Sequence, residues 1–350
     1  MSTPSNQPTF RMPAEWEPHA ATWIAWPHNP EDWPGKFQPI PWVYAEIVRH
    51  LSRSEDVHIL INNEDGEHRA KNILKRGGAN MARLHFHQWP TDRVWLRDSG
   101  PIFTKNPEGV VSITNWCFNA WAKYDNWRRD NLIPQHVADL YNMPQRKPEV
   151  NGKRLVLEGG SIDVNGAGTL ITTEECLLSE VQQRNPGVSK AQLEESFREH
   201  LGIEQVLWLN RGCAGDDTHG HVDDITRFVS ENKIITAVEP NTADENHLPL
   251  AENLARLHAA RNLQGEPYEI IPIPMPAPVF FEGQRLPASY ANFYIANSVV
   301  LVPTFNDPSD RHALNTLAAC FPTREIVGIH AVDLVWGLGT LHCMTQQEPA

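Results

Sequence analysis

An α/β fold is predicted for this chain of 350 residues. Short strand-like runs alternate with helical segments from Thr22 almost to the end. No low-complexity linker or shift of composition interrupts that alternation. A hydrophobic share of 41% and a charged share of 21% are those of a folded chain with a large core. A flexible tail over residues 1–12 and a single domain over residues 13–350 are therefore expected. Roughly five strand–helix–strand modules can be counted, too irregular to read as a sequence repeat.

The elements follow from period and punctuation. Thr22 to Trp26 reads as a buried strand. Trp42 to Ser54 has helical spacing, with Val43, Ile47, Val48 and Leu51 on one face. Val57 to Ile61 and Ala82 to His87 read as strands around a helix from Glu67 to Lys75. Further strands are expected at Val110–Thr114, Leu155–Leu157 and Thr169–Thr172. Ser189 to Leu201 is a helix: Ser189 and Gln192 form a capping-box pattern and Gly202 follows its end. Strands at Gln205–Leu209, Asp224–Val229 and Lys233–Val238 precede a helix from Glu245 to Arg261. Strands at Glu269–Pro272, Pro278–Phe281 and Phe293–Val302 follow. Asp307-Pro308 opens a helix to about Cys320, and Ile326–His330 is a last strand.

Composition narrows the function classes. A net charge of −13 argues against nucleic acid, which wants a basic face. It suits a small cationic substrate. The 28 prolines and 12 tryptophans suggest rigid loops and aromatic-lined clefts. The five cysteines contain no CxxC pair, and an odd number suits a reducing cytoplasm better than a disulfide framework. Met1 to Arg11 lacks the apolar run of a signal peptide. No apolar stretch is long enough to span a membrane. Nothing decides between a monomer and a homo-oligomer.

Four segments carry reactive groups in unusual settings. In Val94-Trp95-Leu96-Arg97-Asp98-Ser99-Gly100-Pro101 a strand runs into Asp98 and stops, which places a carboxylate at a strand end. An aspartate bonded to its own backbone fits the same pattern. In Leu155-Val156-Leu157-Glu158-Gly159-Gly160 an acid ends a buried run and must be paired. A purely structural ion pair is the other reading. In Gly215-Asp216-Asp217-Thr218-His219-Gly220-His221-Val222-Asp223 an extended backbone would put His221 and Asp223 on one face. A metal site at His219, His221 and the nearby aspartates, or a solvated acidic loop, are alternatives. Cys343 follows Gly337-Leu338-Gly339-Thr340 and precedes Thr345-Gln346-Gln347, so it is either a displayed nucleophile or a packed thiol. A thiol, a histidine and carboxylates together suit a guanidinium. Carboxylates grip that planar cation bidentately. A bound cation and a protonated histidine both favour the thiolate, whose free pKa is about 8.5.

These segments together resemble the guanidine-modifying enzyme superfamily, most closely its agmatine deiminase branch, the bacterial peptidylarginine deiminase-like family. The likeness spans nearly the whole chain. It includes Met12-Pro13-Ala14-Glu15-Trp16-Glu17-Pro18-His19, Trp95-x-Arg97-Asp98-x-Gly100-Pro101, Phe118-Asn119-Ala120-Trp121, Leu157-Glu158-Gly159-Gly160, Gly220-His221-Val222-Asp223 and His342-Cys343-Met344-Thr345-Gln346-Gln347. The resemblance implies an α/β-propeller (pentein) of five ββαβ modules with the site at its centre. It implies Cys343 as nucleophile, His221 as general acid and base, Glu158 as its partner, and Asp98 and Asp223 as guanidinium clamps. No metal or organic cofactor is implied. With agmatine the products would be N-carbamoylputrescine and ammonia.

This chain departs from the family pattern at His219, before Gly220, and in the Gly337–Thr340 run. Both bear on the far end of the substrate. Asp217 is an acid suited to an amine, Trp95 and Trp121 suit an apolar chain, and Arg97 is expected to point away from Asp98. This favours agmatine over free arginine or peptidylarginine. A metal-dependent hydrolase using His219, His221 and Asp223 and a non-catalytic polyamine-binding protein are the other classes weighed.

Overall fold

A computed structural model describes residues 10–350. Most of the expected tail, residues 1–9, lies outside them. Arg11 pairs with Lys105 and Met12 is buried, so these two belong to the folded body.

One topology recurs in five sheets. A first strand lies antiparallel to a second. The chain then crosses through a helix and returns as a third strand parallel to the second. In one sheet these strands are Ile102–Lys105, Val111–Thr114 and Gln145–Arg146, with helix Ile133–Tyr141 as the crossover. The next has Asp163–Val164, Thr169–Thr173 and Gln205–Leu209 with helix Lys190–Leu201. Thr226–Ser230, Lys233–Val238 and Glu269–Pro274 follow with helix His247–Ala259. Tyr294–Ile295, Val299–Thr304 and Glu325–His330 follow with helix Ser309–Cys320. These are the ββαβ modules that the resemblance implied.

The remaining sheet joins the two ends of the chain. His19–Ala25 lies parallel to Asp56–Leu60 across helix Ile40–Leu51, and Leu84–His87 extends it after helix Glu64–Arg76. Its antiparallel first strand is Gln346–Pro349, with Thr22 opposite Gln347. Trp23 Nε1 donates to Glu348 Oε2 at 2.7 Å and the Ala350 amide to the Pro18 carbonyl at 2.8 Å. The segment just after Cys343 is thus a buried strand, not a free end.

Local signals explain the helices. Ser189 and Gln192 close the expected capping box, and Gly202 ends that helix in the left-handed region at φ 72°. Helix Glu64–Arg76 begins earlier than its apolar spacing suggests. Asn63 accepts the Gly66 amide, and Glu64, Asp65 and Glu67 face the positive helix end. Pro39 and Pro41 likewise start helix Ile40–Leu51 ahead of Trp42.

Several expected strands are corrected. Val94–Asp98 ends in a helical turn, Leu96–Ser99. Leu155–Leu157 makes only one bridge, between Val156 and Cys117. His221–Asp223 is not extended; Val222–Asp224 is a 3₁₀ turn. Phe293–Val302 is broken between Ile295 and Val299, and Pro278–Phe281 shrinks to Phe280–Phe281. A short apolar run signals burial, and period alone does not separate a buried strand from a buried turn.

Candidate active site

Short turns, three of which read as strands or strand ends in the sequence, build the site. Each sheet's first strand is preceded by a short turn that carries polar residues to a shared centre. Asp98 comes just before Ile102, Glu158 before Asp163, His221 and Asp223 before Thr226, Asn292 before Tyr294, and Cys343 before Gln346. The same step of the fold therefore supplies one part of the site from every sheet.

The five residues expected from sequence do meet. His221 is fully buried, with Nδ1 3.8 Å from Asp98 Oδ1 and 3.9 Å from Asp223 Oδ1, and Nε2 3.9 Å from Glu158 Oε2. Cys343 Sγ lies 3.8 Å from Asp223 Oδ2. The distances around His221 are ion-pair distances, longer than hydrogen bonds. Both His221 nitrogens, Glu158 Oε2 and Asp223 Oδ1 are buried without a hydrogen-bond partner. Buried polar atoms are normally paired, so the centre is built to receive a polar group.

Supports behind these atoms fix their orientation. Trp121 Nε1 donates to Asp98 Oδ2 at 2.8 Å and the Gly160 amide to Oδ1 at 3.0 Å. Arg184 Nε donates to Glu158 Oε1 at 3.0 Å. Asp223 Oδ2 meets His342 Nδ1 at 2.7 Å; His342 Nε2 meets Glu15 Oε2 at 2.8 Å. Glu15 is in turn flanked by Arg227 at 3.0 Å and Arg97 at 3.3 Å. Arg97 thus does turn away from Asp98, and the early Pro-Ala-Glu segment reaches the site through this chain. Asp216 Oδ2 accepts the amides of Gly220 and His221 at 2.7 and 3.0 Å, which shapes the histidine loop.

Asn292 was not singled out by sequence. Its Nδ2 donates to Cys343 Sγ and to Asp224 Oδ1, both at 3.0 Å, and its Oδ1 accepts the His342 amide and the Thr340 hydroxyl. Nothing in Tyr290-Ala291-Asn292-Phe293 marks it except its place before a strand. Arg184 lies in a loop with no motif and was missed for the same reason.

Charge follows from this packing. Burial pushes the Cys343 thiol well above its usual range, and Asp223, Asp224 and Asp98 add to that. These groups together favour the neutral thiol. Burial works against charge on His221, but Asp98, Cys176 and Glu158 outweigh it and hold its proton well above the ordinary range. Burial pushes Asp98 up to about 6, against His221 and with help from Asp223 and Glu158. Glu158 would also rise on burial, but Arg184 and His221 hold it down to about 2.

The glycines serve close approach. A Cβ on Gly160 would stand 2.7 Å from both Asp98 Oδ1 and His221 Nδ1, and on Gly159 2.3 Å from the Arg97 carbonyl. On Gly339 it would stand 2.8 Å from the Trp95 ring and 3.1 Å from Cys343 Cβ, and on Gly337 2.6 Å from Trp33. These contacts account for Glu-Gly-Gly and for the Gly-Leu-Gly that leads to the cysteine.

A cavity of about 300 Å³ lies beside this centre, separated from it by Trp121, the donor to Asp98, and by Trp95, which packs at Gly339 next to Cys343. Trp95, Trp121, Asp217, Gly337 and Leu338 are among its walls. Ala120, Trp121 and Ala122 all have positive φ, near 49°, 58° and 53°. Such backbone is costly for residues with a Cβ, and the Trp121 bond to Asp98 helps hold it. Asp217 lines the cavity, but its carboxylate is taken by Lys123 and by the Tyr124 hydroxyl at 2.7 Å. His219 is not among the lining residues; its Nε2 meets Ser179 Oγ at 3.1 Å and its φ is 67°. The metal alternative needed His219 beside His221 and Asp223. Among the described residues, the clusters with metal-ligand spacing are Glu158–Cys176–His221 and Asp223–Asp224–Cys343, and neither includes His219.

Residues 11–349 match the profile of the Porphyromonas-type peptidyl-arginine deiminase family. The chain belongs to that family. Among its deiminase relatives, the agmatine deiminase of Pseudomonas aeruginosa (strain LESB58) is 34% identical over 376 residues, covering 100% of this chain and 99% of that protein. The agmatine deiminase of Stutzerimonas stutzeri (strain A1501) is 34% identical, covering 100% and 98%. The Enterococcus faecalis agmatine deiminase, solved while catalysing its reaction, superposes with a TM-score of 0.88 at 30% identity over 97% of this chain and 96% of that one. A cysteine-to-serine agmatine deiminase from C. jejuni with substrate bound gives 0.87 at 27% identity, again over 97% and 96%. The chain thus shares its α/β fold with these deiminases, and the five recurring sheets are consistent with the propeller expected from sequence.

Gly160→Ala tests the convergence of Asp98, Glu158 and His221. The methyl group displaces the clamp without removing a reactive group, so turnover should fall about 100-fold, the effect of roughly 1 Å of misplacement. Circular dichroism should stay unchanged. Steady-state kinetics on the variant check it, and full activity would mean that the three groups need not converge.

Proposed function

We propose that this protein is an agmatine deiminase that hydrolyses the substrate guanidinium to N-carbamoylputrescine and ammonia. The observation that carries this reading is the set of unpartnered buried atoms around His221, namely Glu158 Oε2, Asp223 Oδ1 and both His221 nitrogens, with Cys343 Sγ 3.8 Å from the other Asp223 oxygen. A guanidinium is a planar cation with a fork of donors, which answers carboxylates on different edges. Asp98 and Asp223 hold it in this reading, and Glu158 holds His221.

The chemistry follows from the charges. Burial and the nearby carboxylates keep Cys343 neutral; an arriving cation offsets the carboxylates, so binding itself favours the thiolate, and the thiol proton is released to solvent. The thiolate attacks the central guanidinium carbon and a C–S bond forms. His221 gives its proton to a terminal nitrogen, and ammonia leaves with the C–N electron pair. A thiouronium remains on Cys343. Water, losing a proton to His221, then attacks the same carbon. The C–S bond breaks, the thiolate returns, and the ureido product leaves.

The cavity walls favour an amine tail. Glu31, Asp32 and Asp217 line it against one cation, Arg93. Arg93 already donates to Asn126 Oδ1 at 3.0 and 3.3 Å and lies 4.1 Å from the Tyr124 ring centroid. It is poorly placed to take the carboxylate of free arginine. A cytoplasmic setting belongs to the same reading: all five cysteines are unpaired. No helix among the described residues is long and apolar enough to cross a membrane.

Purified protein offered agmatine, arginine and a blocked arginine peptide should release ammonia strongly from agmatine, with or without a chelator. Cys343→Ala should release none while keeping the fold. Release only from another guanidine would move the substrate, and full activity of Cys343→Ala would remove the cysteine from the mechanism. The pH profile carries a separate expectation. Asp98 is raised above its ordinary carboxyl value to about 6, so it loses its charge as pH falls through that value. The kcat/KM for agmatine, which reports the free enzyme, should therefore decline below about pH 6. A profile flat to pH 4 would contradict the clamp assigned to Asp98.

A further inference from the structure

Asp32 is a buried acid at this cavity that the chemistry above does not use. It ends a 3₁₀ turn, Pro30–Asp32, capped by Asn29. Its side chain is only 6% exposed. Oδ1 has one long contact, Asn29 Nδ2 at 3.5 Å, and Oδ2 has no partner. The nearest cation, Arg93 Nη1, stands 3.8 Å away, and its guanidinium is bonded to Asn126 instead. A buried carboxylate without donors is costly, and burial pushes this one up to about 6 despite Arg93. A cation placed against Oδ2 would remove that cost.

The placement fits one end of a substrate. Asp32 shares the cavity with Trp95 and Trp121. Trp121 is bonded to Asp98, and Trp95 packs at Gly339 beside Cys343. Trp33, the neighbour of Asp32, stands 5.8 Å from Trp95 between ring centroids. The reacting centre and Asp32 are therefore joined by an aromatic wall suited to a methylene chain. Asp217, the acid that the sequence favoured for an amine, is already occupied by Lys123 and Tyr124.

We propose that Asp32 Oδ2 receives the ammonium at the far end of the guanidine substrate and selects amine-tailed guanidines over those with an uncharged or carboxylate-bearing end. The assignment rests on the deiminase reading. The test compares agmatine with butylguanidine, which has the same chain without the amine. Wild-type protein should prefer agmatine by about 10- to 100-fold in kcat/KM, the range of one charge-assisted hydrogen bond. Asp32→Asn should lose that preference through a higher KM for agmatine, with kcat nearly unchanged and butylguanidine turnover kept. Butylguanidine turnover also reports that the variant is folded. Equal wild-type rates on the two substrates would overturn the proposal without any variant. So would a preference that survives Asp32→Asn, or an equal loss on both substrates. If wild-type protein turns over neither guanidine, the deiminase reading fails first, and the proposal with it.

Discussion

Carboxylates crowded around one buried histidine are the constraint on which this structure depends. Asp98, Glu158 and Asp223 surround His221 within 4 Å, in a place where water does not screen them. Such a cluster is costly to bury and survives only with excellent partners. Arg184 neutralises Glu158, and His342 passes the demand of Asp223 to Glu15, Arg97 and Arg227. What these partners leave unmet are Glu158 Oε2, Asp223 Oδ1 and both nitrogens of His221. The site is therefore electrostatically incomplete until a cation enters, and the same field keeps the thiol unreactive until then. In the proposed reaction, binding and activation are one event.

The fold solves the problem of bringing these groups together from distant parts of the chain. Each sheet begins after a tight turn, and every turn delivers to the same centre. Sheets made of hydrogen-bonded strands hold those turns more firmly than free loops would. The ring is closed by the last strand, Gln346–Pro349, laid against His19–Ala25. That pairing anchors the turn before it. Cys343 is further fixed by its carbonyl, which accepts the Arg97 amide at 3.1 Å.

Much of this was legible in the sequence, and what was not had physical reasons. Strands such as Gln205–Leu209 and Lys233–Val238 matched because their apolar runs are bounded by turns or polar residues. The five catalytic-type residues stood out because acids, a histidine and a thiol beside glycines are rare neighbours of apolar runs. The turns that carry Asp98, Glu158 and the His221–Asp223 pair read as strands or strand ends in the sequence, since burial looks the same in either. Gln346–Pro349 carries no apolar alternation, so its strand pairing came only from the fold. Asn292, Arg184 and Asp32 lie in segments without a motif, and only three-dimensional proximity gives them a role. Asp217 was attractive by charge alone; Lys123 and Tyr124, invisible as partners in the sequence, had already claimed it.

In the proposed reaction Cys343 forms a covalent bond to the guanidinium carbon, and His221 is needed to release it. Intact-protein mass spectrometry of His221→Asn incubated with agmatine tests this most directly, with peptide mapping to locate any adduct. Added mass equal to agmatine, or to agmatine less one ammonia, is expected on the peptide containing Cys343, and none in the Cys343→Ala,His221→Asn protein. Undiminished turnover by His221→Asn, or an adduct that persists without Cys343, would contradict it.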